Sequence, residues 1–449
     1  MSSFDDHPTV RRLRERQAAA DPSPQGPPPL DASELLSLCL TLGADDVGLL
    51  SIDQPELDGE RERLLQAFPR TRSLISFVCR MNRDNVRNPA RSVANVEFHH
   101  TGEEVNGIAR QIVRALEDRG IRAMYPAMGF PMEAHDYLDR NPWVVAHKPI
   151  AVAAGLGHMG IHRNVIHPRF GNFILLGTVL LEAEISAVDR PIDYNPCVEC
   201  RLCVVACPVG AIGNDGHFNF SACYTHNYRE FLGGFSDWAK NLAESRSAQD
   251  YERKVGEADS ATMWQSLSFG ANYKAAYCLA ACPAGEEVME PFLNDRKAFV
   301  REVLQPLQEK RETVYVVPGS DAEAHVAKRF PHKTVKRVRN SLTPISIEGF
   351  RNGLPLTFQP GQARNLTATY HFQFSGAEAC RFTVVLADQT CTVQNDLVGR
   401  PDLLVQADGA TWIAFLRKQR NLLLALLTGR IRLRGNPRLL LRFARCFPV

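Results

Sequence analysis

The sequence predicts three folded parts in a row: an α/β layer, a ferredoxin-like domain built on closely spaced cysteines, and an α+β module. Three observations predict this. Apolar patterns of strand and helix type alternate through residues 30–190. Cys197, Cys200, Cys203 and Cys207 then follow the spacing C-x2-C-x2-C-x3-C and run into Pro208. After Gly349 the pattern turns to period two over four successive segments, with helical segments behind them.

The 449 residues leave room for several domains with ample core. Twelve cysteines without a secretory leader point to a reducing, cytoplasmic setting in which thiols serve as ligands. The N-terminal arginines are followed by no apolar h-region. The longest apolar run, Leu422–Leu427, is about one and a half helical turns, too short for a membrane span. Net charge is +2 but unevenly spread. Residues 328–340 hold six Lys or Arg and residues 411–449 hold nine, with no acid in either stretch. A basic C-terminal module on an acidic body suits an anionic ligand or surface, and nothing in the pattern indicates nucleic acid.

Residues 1–29 end in a Pro-rich stretch and read as a disordered arm. Residues 30–190 form the α/β domain. Asp31 or Ser33 caps a helix that ends at Gly43. Residues 46–52 and 73–79 read as buried strands on either side of a helix at 61–68. A longer helix over 102–119 places Val105, Ile108, Ile112, Val113 and Leu116 on one face. Cys39 and Cys79 sit in apolar contexts as inert core residues. Gly155, Gly157 and Gly160 fit G-x-G-x-x-G, with Glu182 at the distance of a ribose contact. A dinucleotide fingerprint needs a strand before its first glycine, however, and residues 143–154 are Ala-rich and helical. His147, His158, His162 and His167 have no metal spacing and read as polar-network residues.

The four-cysteine run excludes the commoner alternatives. Zinc prefers separated pairs that close one tetrahedron, and four cysteines this close cannot form sensible disulfides. Two-residue spacers instead wrap three thiolates round one iron–sulfur cube while the fourth faces a second cube.

Ala154-Gly-Leu-Gly-His-Met-Gly160, then Asn164-Val-Ile-His-Pro-Arg-Phe-Gly-Asn-Phe-Ile-Leu-Leu-Gly177, then the cysteine run resemble the epoxyqueuosine reductase and corrinoid reductive dehalogenase superfamily over roughly residues 31–300. The resemblance implies a cobalamin-reductase-like α/β domain followed by a ferredoxin-like two-cluster domain. It implies that residues 141–181 line a corrinoid cavity, with Gly155, Gly157, Gly160 and His158 on the cofactor side. Where epoxyqueuosine reductases carry a catalytic aspartate, this chain has Asn141, with Asp139 and Asp136 nearby, and Tyr137 and Tyr125 as further proton donors. The family's lysine after the third glycine is Ile161. Asparagine cannot deliver a proton as a carboxylic acid does.

The iron–sulfur domain spans residues 191–300. After Cys207 the chain supplies Cys223, then Cys278 and Cys282 before Pro283, and the position that completes the second motif is Ala275. By the cross-over rule Cys197, Cys200, Cys203 and Cys282 hold the first [4Fe-4S] cluster. Cys207, Cys223 and Cys278 are left for a second cluster, [3Fe-4S] or a site-differentiated [4Fe-4S]. The 54 residues between Cys223 and Cys278 form an insertion, with helices at 229–235 and 261–267 flanking a polar segment at 243–259.

A β-α-β fragment in the linker, residues 301–345, has its helix capped by Ser320. Residues 346–449 continue with strands at 367–374, 380–386, 389–394 and 401–408, read as an antiparallel sheet. Helices near 410 and over 421–427, a strand at 430–434 and a last helix started by Asn436-Pro437 complete the order. This order resembles the sterol carrier protein family, an α+β sterol-carrier-type domain, over residues 340–449. The resemblance implies an apolar tunnel for a lipid, sterol or acyl ligand, with Trp412, Phe415, Leu416, Leu423, Leu427, Leu440 and Phe443 as walls. Arg430, Arg432 and Arg434 alternate onto one strand face and suit an anionic head group or a coenzyme A phosphate. Cys380, Cys391 and Cys446 read as structural.

The expectation is an iron–sulfur oxidoreductase passing low-potential electrons to a corrinoid or small-molecule substrate. It would be served by a ferredoxin, flavodoxin or reductase, and fused to a lipid-binding module. The alternative is a ferredoxin-type electron carrier without its own active site, tethered to lipid or membrane.

Overall fold

A computed structural model describes residues 4–19, 29–133 and 143–448. Helix α1 (Pro8–Ala19) lies in the segment read as a disordered arm. It is arginine-rich, lacks an apolar stripe and buries no described side chain, which is why the pattern gave no sign of it.

The first domain runs α2 (Ala32–Thr41), β1 (Asp46–Ser51), α3 (Arg61–Ala67), β2 (Ser73–Arg80), α4 (Arg83–Arg87), α5 (Arg91–Glu117), β3 (Ala123–Met124), α6 (His147–Ala153), β4 (His158–Met159), β5 (Val165–Ile166) and β6 (Ile174–Leu181). Asp31 caps α2 by accepting the Glu34 amide at 2.9 Å. The main sheet has the order β1-β2-β6-β3, and all its pairings are antiparallel. The α/β expectation is corrected here, because alternation of strand and helix says nothing about strand direction, and these connections return the chain without a parallel crossover. Helices cover both faces. Val105, Ile108, Ile112 and Leu116 of α5 pack on Leu49, Phe77 and Val179, while Ile150 and Ala151 of α6 pack on Leu50, Leu74 and Leu180. Helix α5 begins at Arg91, well before the expected start at 102. Its early turns bury the polar Asn95, which bonds both the amide and the carbonyl of the distant Tyr273.

The cysteine-rich domain carries α7 (Leu202–Ala206), α8 (Phe220–Asn227), α9 (Gly233–Ala243), α10 (Ala248–Lys254), α11 (Glu257–Phe269) and α12 (Tyr277–Ala280). The polar stretch of the insertion is itself helical in α10, capped by Ser247. After α13 (Glu290–Asn294), α14 (Arg296–Phe299) and α15 (Gln305–Glu309), the parallel pair β7 (Thr313–Val316) and β8 (Thr334–Arg337) flanks α16 (Asp321–Arg329). Ser320 caps α16 as expected.

The last module contains α17 (Ile347–Thr357), β9 (Ala368–Ser375), β10 (Cys380–Ala387), β11 (Thr390–Asn395), β12 (Leu403–Asp408), α18 (Gly409–Leu416), α19 (Leu422–Leu427), β13 (Ile431–Gly435) and α20 (Arg438–Cys446). The sheet order is β11-β10-β9-β12-β13. Here too the antiparallel expectation needs correction, since β12 runs parallel to β9, with Val405 opposite Phe372. Period-two alternation is the same in either direction. Phe350 of α17, Trp412 of α18 and Phe443 of α20 pack over Phe372 at the centre of this core. Among the described residues, no helix is long and apolar enough to cross a membrane.

Candidate iron–sulfur sites and an apolar cavity

Two short loops carry the chemistry and follow the same local course. Helix α7 starts from Arg201 in the left-handed region, φ +61°, and α12 starts from Ala276 at φ +52°. Each is the residue after a ligand position: Cys200 in one loop, Ala275 in the other. The two helices pack against each other. Ala275 therefore occupies the place that Cys200 holds in its own loop, with the backbone retained and the thiol missing. Ala275 is buried, and the Asn227 side chain accepts its amide and that of Ala276 at 3.0 Å each.

The seven remaining cysteines divide by their electrostatic neighbours. Burial first, then Cys200, Cys197 and Cys278, push the Cys282 thiol up to about 12. Cys203 is raised by burial and by Cys278, Cys282, Cys200 and Cys197. Cys223 is raised by burial and then by Cys278 and Cys207, and Cys278 is pushed up to about 12 by burial and then by Cys207. Cys197, Cys200 and Cys282 thus neighbour Cys203, Cys207 and Cys278 neighbour Cys223, and Cys278 acts on Cys203 and Cys282 as well, so the seven thiols lie in one neighbourhood. Thiols this far above neutrality stay protonated unless a metal takes the proton's place. Among the described residues, no three His, Cys, Asp or Glu side chains converge on a single metal ion. A mononuclear zinc site would bring its sulfurs within about 4 Å of one another, whereas a cube holds them further apart.

The backbone favours thiolates at these positions. The Ala211 amide donates to the Cys207 sulfur at 3.3 Å, and the amides of Val209, Gly210 and Ile212 also lower its pKa against the larger effect of burial. Leu202 does the same for Cys200, and Ala284 for Cys282. Such donors are the usual stabilisers of cluster sulfurs, so the residues present fit iron–sulfur clusters.

Three cations stand beside these thiols that the sequence reading had not singled out. Lys148 of α6 donates to the Arg163 carbonyl at 2.8 Å and to Asn164 at 2.9 Å. The residue is exposed to solvent, the protein around it lowers its pKa, and Cys278 and Cys223 oppose that shift. The Arg91 guanidinium lies 5.3 Å from the Tyr277 ring centroid; burial lowers its pKa, and Tyr277, Glu312 and Cys278 raise it. Arg87 lies over Phe173 and Phe299, with Cys282 among the groups that favour its charge. Buried N–H groups of Arg87 and Arg91 find no protein acceptor among the described residues. The sequence signal was two arginines four residues apart beside apolar positions, but the elements they face are far away in the chain.

Asp136, Tyr137, Asp139 and Asn141 lie outside the described residues. Gly155 stops α6 at φ +74°, and a Cβ there would meet the Arg190 carbonyl at 2.5 Å. At Gly157 it would meet the Ile166 carbonyl at 2.4 Å, and at Gly160 the Ile166 side chain at 2.7 Å. The close approach these glycines permit is to the chain's own residues. His158 is half-buried on β4, with Nδ1 near the Met159 carbonyl at 3.2 Å. The glycine stretch itself enters a β4–β5 hairpin at His158 where a fingerprint would open a helix, and Glu182 pairs with Arg70, so the local structure is not that of a dinucleotide fingerprint. His147 and His167 are network residues, on Thr178 and Asp46 at 2.9 Å each. Burial pushes the Cys39 and Cys79 thiols up to about 12, in keeping with inert core positions. Cys446 is buried in the C-terminal core, with Cys380 and Cys391 packed against it.

In the last module an apolar cavity of 190 Å³ lies between α17, α18 and α20. Trp412, Phe415, Leu416, Leu440 and Phe443 line it, as expected. Leu423 and Leu427 do not; they are 69% and 86% exposed on α19, which buries Ala425 alone. Arg432 and Arg434 are exposed on the edge strand β13, Arg430 just before it, and none of the three lines the cavity.

A model of the SCP-2 sterol transfer family matches residues 357–448, and a 4Fe-4S binding domain model matches residues 190–213. The chain is 29% identical over 155 residues to an epoxyqueuosine reductase of Gloeobacter violaceus, an alignment covering 34% of this chain and 46% of that protein. The matches to curated relatives of this kind cover between 21% and 46% of those proteins' own lengths. Among solved structures, the epoxyqueuosine reductase from Streptococcus thermophilus aligns with 61% of this chain and 74% of its own at 15% identity, with a TM-score of 0.33. A catabolic reductive dehalogenase aligns with 65% of this chain and 34% of its own at 17% identity, with a TM-score of 0.36.

Proposed function

We propose that this chain is an iron–sulfur oxidoreductase passing low-potential electrons to a corrinoid or a bound small-molecule substrate, with a fused lipid-binding module. The observation that supports this reading is the pair of locally equivalent loops that start α7 and α12, which carry six of the cysteines, with Cys223 of α8 beside Cys278 and Cys207. Cys197, Cys200, Cys203 and Cys282 hold a [4Fe-4S] cluster. Cys207, Cys223 and Cys278 hold a second cluster, three-iron or site-differentiated. Bound there, such clusters supply one-electron transfer at low potential.

The chain's own residues tune these sites. Amides on the Cys207 sulfur stabilise its thiolate. The Lys148 ammonium beside Cys223 and Cys278, and Arg87 and Arg91 beside Cys282 and Cys278, favour accumulation of negative charge. Tyr228 and Tyr273 have partly accessible side chains yet lie in strongly desolvated surroundings, and Cys223 and Cys278 are among the groups that raise Tyr228. Asp139, Asn141 and Tyr137 are the proton-donor candidates, and the turn with Gly155, Gly157, Gly160 and His158 is the corrinoid-side segment. A ferredoxin, flavodoxin or reductase supplies the electrons, in the cytoplasm.

Adding cob(II)alamin to the purified protein tests the corrinoid part. Binding changes the visible and EPR spectra of the cobalt. Unchanged spectra favour the second reading, a ferredoxin-type carrier tethered to lipid, for which Asn141 and Ile161 speak.

A further inference from the structure

Helix α19 turns apolar side chains to water. Asn421 caps it by accepting the Leu423 and Leu424 amides at 2.8 and 3.3 Å, which sets the helix on the module with Ala425 inward. Leu423, Leu424 and Leu427 are left 69%, 60% and 86% exposed. At about 3.6 residues per turn these three fall within roughly 100° of one another, on a single face. Single exposed leucines are ordinary on a protein surface, but three on one face of a six-residue helix make a patch. Leu441 of α20 lies close by, since it lines the apolar cavity together with Leu422, and it is 63% exposed. It therefore stands where the cavity meets solvent.

Cations border this patch. Arg417 precedes α19, and Arg430, Arg432, Arg434 and Arg438 follow it, all of them exposed. Arg430 is three residues beyond Leu427, and α19 packs against β13, which carries Arg432 and Arg434. Among the described residues none of these arginines is in an ion pair, and residues 411–449 contain no acid that could neutralise them. Charge on the edge strand β13 also guards it against pairing with another sheet, but that role asks nothing of Arg417 or of the leucines.

The arginines call for an anionic partner, and protruding leucines call for an apolar interior that yields to them. A bilayer surface supplies both. A helix of six residues is about 9 Å long, far too short to span a membrane, but its leucine face can enter the boundary between head groups and acyl chains. We propose that α19 and the arginines around it form a docking surface for anionic lipid bilayers, with Leu423, Leu424 and Leu427 inserted and the guanidinium groups on the phosphates and carboxylates of the head groups. Docked in this way, the module turns the cavity opening at Leu422 and Leu441 to the membrane, so that an apolar ligand passes between bilayer and cavity without crossing water. That consequence rests on the lipid-binding reading above; the docking itself holds without it.

Co-sedimentation of the full-length protein with sucrose-loaded vesicles tests the docking. Binding to phosphatidylcholine vesicles that contain about one-third phosphatidylserine is expected to be at least about tenfold tighter than to phosphatidylcholine alone, and to weaken as salt rises. Leu423→Gln, Leu424→Gln and Leu427→Gln, combined, keep helix-forming residues at exposed positions. This variant is expected to keep its iron content and urea midpoint while its affinity for the anionic vesicles falls at least about tenfold. Arg430→Gln, Arg432→Gln and Arg434→Gln, combined, are expected to remove most of the preference for phosphatidylserine. Equal binding to the two kinds of vesicle, binding to neither, or undiminished binding by the leucine variant overturns the proposal. So does self-association that the leucine variant abolishes, which assigns the face to a second copy of the chain. A protein that docks on anionic vesicles but binds no fluorescent fatty acid supports the docking and removes the lipid-cavity reading.

Discussion

Asn227 accepts the amides of Ala275 and Ala276 through one side-chain oxygen, at 3.0 Å each, and so holds the second cysteine loop in shape at the position where its first thiolate is missing. The loop has kept the geometry of a ligand loop without the ligand. A cysteine placed there meets a backbone already arranged for it. Ala275→Cys is expected to raise iron content to about eight per chain and to abolish any three-iron EPR signal. In the metal-free protein the added sulfur overpacks a buried site and costs about 1 kcal/mol. Unchanged iron content and EPR in this variant would count against the three-thiolate assignment.

Lys148 places an ammonium beside Cys223 and Cys278. Its replacement by Met keeps the stem and removes the charge, which disfavours the reduced and more negative state of the second cluster. Lys148 is exposed and its charge is screened by solvent, so the midpoint potential is expected to fall by on the order of tens of mV, read by an EPR-monitored redox titration. The first cluster's potential is expected to move much less. Equal shifts in both would contradict the placement of Lys148.

Ala444 lines the apolar cavity on α20. Ala444→Trp fills that space and is expected to abolish displacement of a fluorescent fatty acid while iron content stays the same. Trp412→Ala, in contrast, empties a fully buried site and is expected to cost about 3–5 kcal/mol in denaturant unfolding. Retained probe binding in the filled variant would mean that the cavity is not the lipid site.

His226 sits on α8 with Cys223 and accepts the Tyr315 amide through Nδ1 at 3.4 Å, which requires a neutral ring. Burial lowers its pKa to about 4, with Glu312 opposing and Lys274, Lys333 and Lys310 adding. His162 is likewise lowered to about 4, by burial and then by Lys148. Between about pH 6.5 and 4 the unfolded chain binds more protons than the folded one, so stability is full above this window and falls as pH drops through it. The loss from His226 alone is up to about 3 kcal/mol. Urea midpoints measured across the window are expected to fall toward acid, with a shallower slope in His226→Asn. Identical slopes would sink this account.

Local patterns made much of this molecule legible in the sequence, and distant contacts account for most of what was missed. The cysteine spacing is local and matches a 4Fe-4S binding domain model, and the caps are local too: Ser320 is as expected, and Asp31 is one of the two residues expected to cap α2. Strand direction was not legible, because Val405 alternates in the same way whether β12 lies parallel or antiparallel to β9. The start of α5 depends on Asn95 meeting Tyr273, and the cationic setting of the candidate ligand cysteines depends on Arg87, Arg91 and Lys148 from other elements. Leu423 and Leu427 have the composition of cavity walls, but α19 turns them outward. Asp139, Asn141 and Tyr137 fall outside the described residues.

The central claim is one complete and one three-thiolate cluster site. Iron and sulfide quantitation with EPR on anaerobically purified protein tests it most directly. The account predicts about seven to eight iron per chain, divided between an ordinary [4Fe-4S] cluster and a second species that is three-iron or carries a non-thiolate fourth ligand. Two cubes of ordinary four-thiolate behaviour, or a single cluster of four iron, would contradict it.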